Sequence, residues 1–263
     1  MKTDFSMWLK PLCRPALCAL LTVNLGGLAT EGAETIRLDP IADAFVATGV
    51  GGSLNGNNFG AAGSLAVSAG GLPGGQFQSV LKFDLSGARS ALDAEFGAGK
   101  WVLDSVGLKL TSSPHGNPIF NLAAPGQFGV SLMQNNAWQE GTGTGGKPGT
   151  VGISFNTLLG NFVNQNADVT LGSFTFSGGS SGDNEYRLEL APGLLGHLQS
   201  GSELSLRLYP TDNVVSYLFD SRTAGGDTSP ELVIVASPEP AILGLGLAGA
   251  ALLGLCRFRG YRR

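Results

Sequence analysis

The sequence predicts an all-β protein, an antiparallel β-sandwich with a few short helices. Apolar and polar residues alternate at period two through most of the middle of the chain, glycine is abundant (41 residues) and gathers between the alternating runs, and only three short stretches have helical character. Period two sends successive side chains to opposite faces of a strand, the pattern of sheets buried on one side. Two such sheets cover their apolar faces by packing against each other.

The first strand is expected over 42–48 and the second over 65–69. The clearest alternation spans 79–85, with Leu81, Phe83 and Leu85 on one face and Lys82 and Asp84 on the other. From 101 to 111, Val102, Val106, Leu108 and Leu110 are expected to share a face, with Trp101 in the core. Further strands are predicted over 128–133, 169–176, 186–190, 203–209, 214–220 and 231–235. Glycine clusters at 49–63, 70–75 and 141–149 read as loops, the last a flexible one. The three helical stretches are 86–96, 156–163 and 192–198.

Neither end belongs to that fold. Lys2, Lys10 and Arg14 precede an apolar stretch over 15–28 and the small residues Gly26, Gly27 and Ala29, the form of a signal peptide over 1–29. At the other end, Pro238-Glu239-Pro240 leads into an apolar run over 241–256 and then Arg257, Arg259, Arg262 and Arg263. The prolines stop a helix from extending backward, and the arginines hold the end of the run on the cytoplasmic side. A helix of this length spans about 24 Å, short of a hydrocarbon core of about 30 Å. The segment is therefore expected to be a brief membrane stop that is recognised and removed. The three-part order closely resembles the PEP-CTERM sorting signal of Gram-negative bacteria. That resemblance implies passage through the inner membrane and periplasm, with transient membrane association through a C-terminal helix. It also implies processing by an exosortase and release to the cell surface or extracellular matrix.

The expected organisation is a signal peptide (1–29), one domain (30–237) and a sorting segment (238–263). Of 16 Lys and Arg, seven lie in the two ends, and of 20 Asp and Glu only Asp4 and Glu239 do. The middle keeps nine basic and 18 acidic residues, a net charge near −9. Nucleic acid and anionic lipid are bound through dense positive charge, so this surface disfavours both. Cys13, Cys18 and Cys256 all lie in the ends, which leaves the middle without a disulfide.

A second resemblance covers nearly all of the middle. Ala42-Asp43-Ala44-Phe45-Val46 is followed by Asn57-Asn58-Phe59-Gly60, Leu65-Ala66-Val67 and Ser79-Val80-Leu81-Lys82-Phe83-Asp84-Leu85. Trp138-Gln139-Glu140-Gly141-Thr142, Phe219-Asp220-Ser221-Arg222 and Pro230-Glu231-Leu232-Val233 come later in the same order. Together these pieces resemble the DNRLRE domain of secreted microbial proteins, which implies a jelly-roll sandwich allied to carbohydrate-binding modules.

Residues able to do chemistry are sparse. His115 and His197 lie far apart, with no zinc spacing and no nucleophile elbow beside them. Gly141-Thr142-Gly143-Thr144-Gly145-Gly146 fits a dinucleotide-binding pattern in form only, since it opens no helix. Asp183 and Glu185 form a carboxylate pair best read as a solvated strand edge. Asp43 and Asp220, near the ends of the first and last strands, are candidate ligands for a structural calcium ion, with Asp39 and Asp227 close by. The same aspartates could instead satisfy backbone groups or pair with Arg222. Among Trp101, Trp138, Tyr186, Tyr209 and Tyr217, Trp138 has polar neighbours and is the candidate exposed glycan contact. The expectation is a secreted, non-enzymatic β-sandwich protein of the exopolysaccharide or biofilm matrix that binds carbohydrate. The alternative is a secreted polysaccharide hydrolase or lyase.

Overall fold

The computed structural model describes residues 32–113, 123–177 and 182–240. The signal peptide, the apolar run 241–256, Arg257, Arg259, Arg262, Arg263, the three cysteines and His115 lie outside the described residues. Among the described residues no helix is long and apolar enough to cross a membrane.

Among the described residues the fold is mainly β, with eleven antiparallel strands joined by hydrogen bonds into one continuous sheet. In chain order the first six are β1 (Glu34–Leu38), β2 (Ala42–Ala47), β3 (Ser64–Ser68), β4 (Phe77–Asp84), β5 (Trp101–Ser112) and β6 (Gly126–Met133). The remaining five are β7 (Val169–Phe176), β8 (Gly182–Leu188), β9 (Glu203–Pro210), β10 (Ser216–Asp220) and β11 (Glu231–Pro238). The sheet order is β1-β11-β5-β10-β3-β4-β9-β6-β7, with β2 paired to β4 and β8 paired to β5.

The path narrows between β3 and β4, which share only the Ser68–Phe77 pair, whereas β4 forms full ladders with β2 and β9. The strands on either side of that narrow point meet in one core. Leu81 and Phe83 of β4, with Leu204, Leu206 and Leu208 of β9, pack in the same cluster as Leu65, Val67, Phe219, Leu108 and Ile234. Two layers sharing a core is the arrangement expected of a β-sandwich. Each fully buried side chain of this kind contributes about 1.5–3 kcal/mol relative to exposure. Phe128 anchors the aromatic part of the core, edge-on to Tyr186 at 5.2 Å and to Phe219 at 5.8 Å between ring centroids.

Helix α1 (Ser86–Phe96) buries Ala88, Leu92 and Phe96 at spacings of four, the helical period of a stripe facing the core. Helix α3 (Pro192–Ser200) starts with proline at its first turn and ends at Gly201 in the left-handed region. The expected helix at 156–163 is a short α2 (Phe155–Thr157) that widens into a π-helical turn over Leu158–Phe162.

The structure corrects two expectations for the fold. Strand β1 was not expected, although Ile36 and Leu38 alternate with Thr35 and Arg37 and lie half-buried against the main core; the run is only five residues long and pairs with β11 from the far end of the domain. Val102 does not share a face with Val106. The register between β5 and β11 shifts near Asp104, and this bulge turns Val102 outward (37 % exposed) while Trp101 and Leu103 face the core.

Candidate functional site

After β6 the chain leaves the sheet and returns to it only at β7. Asp168 closes the base of this excursion, accepting the Gln134 N–H and the Asn164 N–H at 3.0 Å each. Between them Trp138, Ile153, Phe155 and Leu158 form a second apolar cluster with Ala44, Val46, Val80 and Met133. These last four are the alternate positions of β2, β4 and β6 that do not join the main core, so the excursion covers a sheet face that would otherwise be wet.

Trp138 is the wedge of this cover and is not the exposed glycan contact expected of it. It is 1 % exposed, its indole N–H donates to the Ser205 hydroxyl at 2.9 Å, and the Lys82 ammonium lies 4.8 Å above its ring. Lys82 also donates to the Trp138 carbonyl at 3.0 Å. Its polar neighbour Gln139 is exposed, as is Ala137 on the other side, because both alternate with a buried ring.

The cover is fastened by polar side chains. The Asn58 carboxamide is wholly buried, and its Nδ2 donates to the carbonyls of Glu140 and Ile153. Its Oδ1 accepts the N–H groups of Gly60 and Gly143, each at 3.1 Å. The glycine-rich segment is therefore packed rather than flexible: a Cβ on Gly143 would collide with the Asn58 backbone, and Gly141 has a φ of 79° that favours glycine.

Asp43 lies beside this hub. Its Oδ2 accepts the Arg222 N–H at 2.8 Å, and its own N–H donates to the Glu140 carboxylate at 3.2 Å. The Arg222 guanidinium in turn grips both oxygens of Glu140, a forked geometry that Arg favours. Asp43 Oδ1 is buried without a hydrogen-bond partner. Burial, reinforced by the Glu140 charge and opposed by the bond from Arg222, pushes the Asp43 carboxyl up to about 7. The bond to Glu140 holds Arg222 above its ordinary value.

This donor set does not fit a calcium ion, which takes six to eight oxygen ligands. The Arg222 guanidinium already pairs with the Glu140 carboxylate, and its backbone N–H already bonds Asp43 Oδ2. Among the described residues no group of three or more His, Cys, Asp or Glu is placed to hold a metal. Asp220 ends β10 opposite Ser64, two residues before the arginine that caps Asp43.

The other sequence candidates have structural partners. Asp183 accepts from the Thr111 hydroxyl at 2.7 Å and pairs with Lys109 at 3.1 Å, within a charge ladder that continues through Glu231 to Arg37. His197, in the last turn of α3, contacts the Ser202 hydroxyl at 2.8 Å, and burial pulls its pKa down. In the Pro238-Glu239-Pro240 motif, Pro238 pairs with Trp101 as the last residue of β11, and the Glu239 N–H donates to the Lys100 carbonyl at 2.8 Å. The sheet thus runs into the motif instead of ending before it.

A groove of about 230 Å³ opens on the excursion, lined by Ala137, Gln139, Ile153, Thr157, Asn161 and Phe162. None of these carries a charge. Sequence reasoning missed the groove; the only available signal was the alternation around Trp138, which sends Gln139 to the side opposite the ring. Compared with models of known protein families and with curated proteins, the chain matches none.

Proposed function

We propose that this chain is a non-enzymatic protein of the cell surface or extracellular matrix, with a jelly-roll β-sandwich that binds extracellular polysaccharide. An N-terminal signal peptide exports it, and a PEP-CTERM-type tail hands it to an exosortase for release. The observation that carries this reading is the tail itself: Pro-Glu-Pro, an apolar run too short for a lasting anchor, and four arginines, in that order. Glu239 is bonded to the body of the sheet, so the apolar run begins close to the folded domain and no long linker intervenes.

A hydrolase or lyase needs an acid or base within reach of substrate. Among the described residues the carboxyl with the most displaced protonation, Asp43, is buried, is bonded by the Arg222 N–H and does not line the groove. Mass spectrometry of the protein recovered from medium and matrix tests the export reading. The expected mature form ends near Pro240, and a surface form that retains Arg263 overturns processing by an exosortase.

A further inference from the structure

The groove on the excursion offers two carboxamides with open bonding capacity. Gln139 and Asn161 are both exposed, and among the described residues neither side-chain amide makes a hydrogen bond. Their backbones are held. The Gln139 carbonyl accepts the Ile153 N–H at 2.7 Å, and the Asn161 carbonyl accepts from the Asn135 side chain at 3.1 Å. Trp138, locked beneath by Ser205 and Lys82, keeps Gln139 pointed outward. Asn161 and Phe162 lie on the π-helical turn, closed by the Val163 N–H on the Leu158 carbonyl at 2.9 Å. Such wide turns are unfavourable and recur at functional sites.

We propose that this groove is a subsite for one neutral sugar ring, whose hydroxyls bond the Gln139 and Asn161 carboxamides while its apolar face rests against Phe162. The proposal builds on the polysaccharide-binding reading above and gives it a location and a class of sugar. A carboxamide offers donors and an acceptor at once, and a sugar hydroxyl does the same, so each amide can meet a hydroxyl in either sense. Phe162 is half-buried against the Trp138 cluster and presents the rest of its surface to the groove. An aromatic surface of that kind packs against the C–H face of a ring.

The charge pattern decides between neutral and acidic sugars. No Lys or Arg lines the groove, so a uronate carboxylate would lose water without gaining a counter-charge. The chain as a whole is also acidic, with a net charge of −4. The volume sets the size of the ligand. At about 230 Å³ the groove lies below the roughly 300–1,000 Å³ of sites that enclose drug-sized molecules. It suits a single ring of a longer chain that continues across the surface.

The test is calorimetric titration of the full-length protein, and of Gln139→Ala and Asn161→Ala, with neutral gluco-, manno- and galacto-oligosaccharides and with oligouronates. Both positions are exposed, and thermal melting of each variant checks that the fold is kept. At least one neutral oligosaccharide is expected to bind, with each variant weakened about five- to tenfold, the net value of one hydrogen bond. Parental affinity in both variants places the sugar elsewhere and overturns this subsite while leaving polysaccharide binding intact. Preference for oligouronates also overturns it. Failure of every sugar to bind removes the polysaccharide-binding reading as well.

Discussion

The two faces of β4 are buried by different means. On one face Leu81 and Phe83 meet apolar side chains from other strands, whose positions are set by backbone ladders such as the full β4–β9 pairing. On the other, Val80 lies under the excursion, an irregular chain with few backbone ladders of its own. There the cover is pinned by single side chains: Asn58 at its centre, Asp168 at its base, and Glu140 through Arg222. Apolar area stabilises both faces, but on the second the placement of the cover depends on a few buried polar groups. Losing one such group leaves its partners buried and unsatisfied.

The largest effect is expected on the ladder side. Phe83→Ala removes a fully buried ring and should cost about 3–5 kcal/mol in denaturant unfolding, a large share of the roughly 5–15 kcal/mol that holds a domain together. A loss below about 1 kcal/mol would show that this face is not the centre of the core.

The next effect comes from the pinned side and depends on pH. The Asp43 pKa rises from the ordinary 3.8 to about 7 on folding, so the folded state holds this proton more tightly than the unfolded state. The contribution is fully present below about pH 4 and is lost as pH rises through about 7. At about 1.4 kcal/mol per pKa unit, the rise from 3.8 to about 7 amounts to roughly 4 kcal/mol. Glu231 and Asp212 shift the other way, held low by their hydrogen bonds against the opposing effect of burial, and they favour the fold until pH falls through their lowered values. Stability should therefore peak in the mildly acidic range and decline toward pH 8. Asp43→Asn keeps an acceptor for the Arg222 N–H and should flatten the decline on the alkaline side. An unchanged slope in that variant would assign the pH dependence to other groups.

The smallest effect sharpens the comparison most. Asn58→Ala strands buried partners and should cost about 1–3 kcal/mol. Hydrogen exchange should accelerate across 139–153 while β5 and β11 keep their protection. Equal acceleration in β5 and β11 would mean that the cover and the main core open as one unit, and the distinction between the two faces would lapse.

The legible parts of this protein were those governed by neighbours in sequence. Helix α1 and strand β7 occupy the expected residues because a periodic run of side chains carries its own instruction. The glycine clusters marked breaks between elements for the same reason. Strand β1 alternates as well, with Ile36 and Leu38 toward the core, but five residues carry too short a pattern to stand out, and its partner β11 lies at the other end of the domain. The candidate site was harder to read because its parts are distant in sequence. Asp43 and Arg222 are 179 residues apart, and Asn58 and Glu140 are 82 apart.

By itself, then, the sequence determined that the chain is mainly β, where most strands and the two longer helices lie, and that the middle is acidic and free of cysteine. Only the tertiary structure decided which way particular side chains face. It buried Trp138, turned Val102 outward through a bulge, and set Asp43 against Glu140 and Arg222. The physical reason is that alternation specifies two faces of a strand without saying what will cover either. The cover comes from distant segments, and their burial and bonding decide whether a polar or aromatic residue meets solvent, a partner or the core.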